Sequence, residues 1–231
     1  MKDLFRREGH KAVYKQFRPH VKRTYSRSLI QNFAPTGQGL ELGVGSQSIA
    51  PRSRTLLSDA FDHHGQDKTS LAQKFFSVYS IPYPNETFSF VLSEHMFEHL
   101  SNPLKALRES IRVLKGGGHI FLFLPHPQRT FDKLRPRTTL DHLIEDEKMS
   151  RDENDETHFD EWQTLVMDQD LAPHYQHIPR DQWNDEAAIH HHVWLPEDIQ
   201  AIFEHLGLKV VHCENEIPDR SDTFVVIGQK T

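Results

Sequence analysis

The chain of 231 residues has a single cysteine, Cys213. No internal disulfide can form, which fits a reducing compartment. Cys213 borders the apolar run Leu208 to Val211, a setting for a buried, inert thiol. No apolar stretch approaches the roughly 20 residues that a membrane-spanning helix needs. The N-terminus lacks the apolar core of a secretion signal, and no internal repeat is visible. Together these absences lead to the expectation of a soluble, cytoplasmic protein. The length suits one domain with room for an insertion, and such a chain can bury a core without a disulfide or metal staple.

What is present is unevenly charged. Residues 1–30 carry nine Lys/Arg against two Asp/Glu, whereas residues 141–161 carry ten Asp/Glu against two Lys/Arg. A basic arm can attract nucleic acid, an anionic membrane or an anionic substrate; the plainer reading is a solvated helix face. Apolar positions from Val13 to Phe33 recur every three or four residues, so residues 1–36 are read as an amphipathic helical arm broken near Pro19.

Strand and helix signals then alternate. Strands are expected at Leu40–Leu42, Arg54–Asp59, Lys74–Val78, Phe88–Leu92, His119–Leu124, Leu208–Val211 and Thr223–Ile227. The run His119–Leu124 is continuously apolar, as in a parallel sheet buried on both faces. Asn102 and Pro103 open a helix with Leu104, Leu107, Ile111 and Leu114 on one face. Pro196 opens another, which ends at Gly207. Between them, residues 126–190 lose this order and are read as an inserted helical cap with short helices near Leu140–Met149 and Asp160–Asp168. The fold class is therefore α/β: a doubly wound, mostly parallel seven-stranded sheet with an inserted cap after the fifth strand. The closing helix and two strands suggest one antiparallel edge strand.

The stretch Gly39-Leu-Glu-Leu-Gly-Val-Gly-Ser46 is the focus of this pattern. Gly43 and Gly45 allow positive φ and leave no Cβ between a turn and a ligand. An α/β sheet binds ligands outside the carboxyl ends of its strands, where this turn falls. Asp59, at the end of the second strand, is placed to accept hydrogen bonds from ribose hydroxyls. The dinucleotide fingerprint Gly-x-Gly-x-x-Gly is incomplete, because Ser48 stands three residues after Gly45.

Four segments in order resemble class I S-adenosylmethionine-dependent methyltransferases, with a core similar to the small-molecule and ubiquinone-biosynthesis types. They are Glu41-Leu-Gly-Val-Gly45, Ser77-Val-Tyr-Ser-Ile-Pro-Tyr-Pro-Asn-Glu-Thr-Phe88, Phe90-Val-Leu-Ser-Glu-His-Met-Phe-Glu-His-Leu100 and Val113-Leu-Lys-Gly-Gly117. The resemblance implies a single methyltransferase domain over residues 1–231 with a Rossmann-like fold, S-adenosyl-L-methionine as cofactor, and a cofactor site at Glu41, Gly43, Val44, Gly45, Asp59, Ser77, Val78, Ser93 and Glu94. Two departures stand out. Gln47 lies where relatives often carry a third glycine. Ser77 replaces the Asp that contacts adenine, which shifts recognition towards backbone groups such as that of Val78.

In the implied reaction the cofactor supplies the leaving group, and the protein positions the nucleophile. His95 and His126, after the fourth and fifth strands, are the catalytic or acceptor-binding candidates. His95-x-x-Glu98-His99 would set three ligand types on one helical face, but it matches only partly the Glu-x-x-Glu-His of metal-binding relatives, and no metal ligand is assigned. Arg129, Arg135 and Arg137 cluster after the fifth strand as a candidate anion site. The expected partner is a small-molecule acceptor. A nucleic-acid methyltransferase using the basic arm and a non-catalytic cofactor-binding module are the alternatives. Acceptor and oligomeric state are not legible.

Overall fold

Strand alternation decides which residues of this sheet face which layer. A computed structural model describes residues 23–62 and 69–231, so the arm before Arg23, the break expected near Pro19, and His63-His64-Gly65 lie outside the described residues. Seven strands form one sheet: β1 (Gly39–Leu42), β2 (Thr55–Asp59), β3 (Lys74–Phe75), β4 (Phe88–Glu94), β5 (Leu114–Pro125), β6 (Leu208–Glu214) and β7 (Thr223–Lys230). Their order is β3-β2-β1-β4-β5-β7-β6. Pairings from β3 to β5 are parallel, and β7 is antiparallel to both β5 and β6.

Successive residues of a strand point to opposite faces. Phe90, Leu92, Phe121 and Phe123 face one side, where helix α1 (Thr24–Phe33) lays down Leu29 and Ile30. Val91, Ile120, Leu122 and Leu124 face the other, against α2 (Pro103–Val113) and α5 (Pro196–His205). Asn102 caps α2 as expected, its side chain accepting from the Lys105 N–H at 3.1 Å. Asp198 reaches back in α5 to accept from the Leu195 N–H at 2.8 Å.

The antiparallel strand differs from the expectation. It is β7, which sits inside the sheet, while β6 takes the edge. Burial explains the choice: Thr223 to Gly228 are all buried, whereas only Leu208 of β6 is buried. The more apolar strand takes the place covered on both faces. Strand β3 is also shorter than expected, because Ser77 opens a turn in which its carbonyl accepts the Ser80 N–H at 3.1 Å.

The segment after β5 holds α3 (Leu140–Lys148) and α4 (Phe159–Trp162), the latter continuing as a π-helical turn over Gln163–Met167. It has its own core of Phe159, Trp162, Val166, Trp183 and Ile189. No helix among the described residues is long and apolar enough to cross a membrane. Cys213 is half-buried and its thiol is pushed up by burial.

Phe203 of α5 is fully buried and packs over Gly228 of β7, where an added Cβ would lie 2.7 Å from the ring. Phe203→Ala is expected to cost about 3–5 kcal/mol. The check is a lowered urea midpoint with an unchanged m-value.

Candidate functional site

Strands β1, β2 and β4 end side by side, and the glycine turn leaves β1 at this edge. Gly43 and Gly45 have φ of 65° and 50°. A Cβ on Gly43 would lie 2.3 Å from Cγ of Met96, so the turn needs glycine for conformation and for space. The turn is tied to its neighbours at two levels. Above, the Gly45 N–H donates to Asp59 Oδ2 at 2.8 Å. The other oxygen, Oδ1, accepts from the Ala60 N–H at 2.8 Å.

Below, Glu41 is buried and holds the far side of the turn. Its carboxylate accepts from the Ser48 hydroxyl at 2.5 Å and from the Ile49 N–H at 3.3 Å. Burial pushes the Glu41 carboxyl up from 4.5 to about 7; the Ser48 and Ile49 bonds partly offset it and the charge of Glu94 adds to it.

A cavity of about 650 Å³ opens at these strand ends. Gly43, Asp59, Ser77, Val78 and His95 line it. Tyr175, His174 and His177 of the insert line it as well. The remaining residues expected at the site stand back from the cavity. Glu41 lies beneath the turn, and Val44 turns into the core beside Leu57. Ser93 is buried at the end of β4. Gly45 contributes the backbone bond to Asp59. Glu94 pairs with Arg23, and with Arg220 at 3.1 Å.

The two histidine candidates separate. His95 reaches the cavity wall, but both ring nitrogens are engaged: Nε2 with Thr223 Oγ1 at 2.7 Å and Nδ1 with Arg220 Nη2 at 3.1 Å. Since a guanidinium only donates, Nδ1 accepts and Nε2–H donates to Thr223. Burial, then the nearby Arg220 charge, holds His95 well below the usual histidine range. His126 is buried edge-on to Phe224, with centroids 6.3 Å apart, and does not line the cavity.

The expected helical face of His95, Glu98 and His99 does not form. His95 has φ of 50° and a 3₁₀ turn begins only at Phe97. Glu98 and His99 are instead joined by His190 from the far end of the insert. His99 Nδ1 meets the Ile189 carbonyl at 2.8 Å. Glu98 is wholly buried, and burial pushes its carboxyl up to about 7. The periodicity of residues 95–99 could not reveal a partner ninety residues away.

The arginine cluster also dissolves. Arg129 donates to the Asn215 carbonyl. Arg135 is buried against Asp132, Glu161 and the His190 and His191 carbonyls. Arg137 pairs with Asp198 and Glu197. Each guanidinium takes a partner within the fold, and the three do not converge on one another.

Residues 48–122 match the model of a methyltransferase domain. A solved S-adenosylmethionine-dependent methyltransferase of Thermotoga maritima, described as a possible histamine N-methyltransferase, aligns over 100% of both chains with a TM-score of 0.53 and 15% identity. One from Mesorhizobium loti aligns with 90% of this chain and 99% of its own, with a TM-score of 0.54 and 13% identity. This chain has the class I methyltransferase fold. S-adenosylmethionine is the cofactor that the methyltransferase domain and these neighbours imply. An uncharacterised protein of Methanocaldococcus jannaschii is 30% identical over 96 residues, 40% of this chain. The match spans 47% of that relative's length.

The methyltransferase fold fits its cofactor here through the Gly43 turn, which a Cβ would fill, and through Asp59 at the end of β2. Ser77 places a hydroxyl on the cavity wall, which accepts from the Tyr79 N–H at 3.3 Å.

A raised carboxyl pKa makes the folded state bind a proton that the unfolded state releases between pH 4.5 and about 7. The contribution of Glu41 is therefore fully present below pH 4.5 and lost as pH rises through 7. Glu41→Gln is expected to gain about 2–3 kcal/mol over the parent at pH 8 and to lose that gain near pH 4.5. Urea unfolding of both proteins across this range measures the difference; parallel curves would remove Glu41 from the account.

Proposed function

We propose that this chain transfers the methyl group of S-adenosylmethionine to a small-molecule acceptor held beneath the insert. The cavity carries this reading: at about 650 Å³ it lies within the roughly 300–1,000 Å³ of small-molecule sites, and side chains of the insert line it together with Gly43 and Asp59. A cavity of this size suits a compact acceptor better than a nucleic-acid duplex.

When bound, S-adenosylmethionine would supply an electrophilic sulfonium methyl group and a neutral thioether as the leaving group. Gly43 and Gly45 would admit the amino-acid and ribose portion of the cofactor, and Asp59 would accept from the ribose hydroxyls. Ser77 and Val78 would flank the adenine. His95, with both nitrogens engaged, orients the end of β4 against β7 and has no lone pair to offer as a base. A general base is required only for an acceptor whose nucleophile carries a proton. Cytoplasmic residence is part of this proposal and rests on the scarcity of cysteine.

Calorimetry with S-adenosylmethionine and with its demethylated product tests the cofactor site. The folded protein is expected to bind both. Asp59→Ala is expected to weaken binding roughly 10- to 100-fold, as loss of ~1.5–3 kcal/mol of hydrogen bonding to a charged group implies. Absence of binding by the folded parent would overturn the proposal.

A further inference from the structure

Away from the glycine turn, four side chains from three separated segments point their ligand atoms at one another. His142 and Asp146 lie four residues apart on α3, which puts them on one helical face. His158 stands at the start of α4, and His192 lies on the chain that returns from the insert to α5. One ligand atom from each lies within 4.8 Å of all the others.

The separations fit a small tetrahedral ion. Ligand atoms held at about 2.0–2.1 Å from zinc in tetrahedral geometry are about 3.3 Å apart. Here Nε2 of His142 lies 3.1 Å from Nε2 of His158 and 3.2 Å from Oδ2 of Asp146. Nε2 of His192 lies 3.9 Å from the same oxygen.

Protons alone do not satisfy this arrangement. Nε2 of His142 carries at most one hydrogen, which can serve His158 or Asp146 but not both. Oδ2 of Asp146 and Nε2 of His192 are buried without a hydrogen-bond partner, and the His192 side chain is wholly inaccessible. Such orphans are costly in a folded protein. The other Asp146 oxygen is already fixed by Arg151 Nε at 2.8 Å, which orients the free oxygen towards the three imidazoles.

We infer that His142, Asp146, His158 and His192 form a four-coordinate site for a divalent transition-metal ion, zinc by its ligand set. Three imidazoles and one carboxylate suit zinc rather than magnesium or calcium, which prefer all-oxygen shells. Four protein ligands close the shell, so the ion is structural and leaves no position for substrate. His142, with 38% of its side chain exposed, gives the ion a route in. The site joins α3 to the start of α4 and to the chain that returns to α5. It stands independently of the proposed reaction.

The full chain, purified without a histidine tag, stripped with chelator and dialysed against zinc, is expected to hold one zinc per chain by elemental analysis. Cobalt in its place is expected to give the visible absorption bands of a four-coordinate ion, and chelation to lower the melting temperature. Asp146→Asn and His158→Gln are each expected to weaken zinc by more than the roughly 10–100-fold that outer-shell changes cost, while Glu98→Gln, in the separate cluster with His99 and His190, keeps it. Circular dichroism checks that the variants fold. If they do not, the cobalt spectrum of the parent decides, and absence of four-coordinate bands overturns the inference. Failure to retain zinc, or loss of zinc in Glu98→Gln but not in Asp146→Asn, also overturns it.

Discussion

The hydrogen bond from the Gly45 N–H to Asp59 is the constraint on which the site depends. It spans the ends of two parallel strands and holds the turn open at a place where a Cβ on Gly43 would strike Met96. The same carboxylate also accepts from the Ala60 N–H at 2.8 Å, so one side chain secures both the turn and the end of β2. Below it, Glu41 is buried at the cost of a raised pKa, and its bonds to Ser48 and Ile49 hold the rest of the turn.

Around this point the molecule uses its charges for construction. Glu94 at the end of β4 lies between Arg23 and Arg220, and Arg220 in turn holds His95. Arg135 is nearly inaccessible and ties the insert's beginning to its end through the His190 and His191 carbonyls. A basic side chain that reads as an anion site in isolation becomes a cross-brace once its partners are known. Within the acidic run of the insert, Asp146 and Asp155 are both held by Arg151.

Much of the fold was legible because it rests on local chemistry. The apolar run of β5, the Asn102 cap of α2 and the proline that opens α5 each state their structure within a few residues. The glycine turn was legible for the same reason, since positive φ and close approach demand glycine. The place of β7 inside the sheet was not, because it follows from a comparison of burial between two strands. The helical reading of residues 95–99 failed at His95, whose positive φ is sustained by bonds to Arg220 and Thr223 more than a hundred residues later.

The sequence by itself determined a parallel α/β core, the glycine turn and the acid at the end of the second strand. These need only periodicity, capping and backbone freedom, which are properties of neighbours in the chain. Tertiary structure alone decided what the histidines and arginines do. It left His126 outside the cavity, locked His95 between two partners, and brought His142 and His158 to His192. Long-range packing sets which nitrogen faces which oxygen, and no spacing along the chain encodes that.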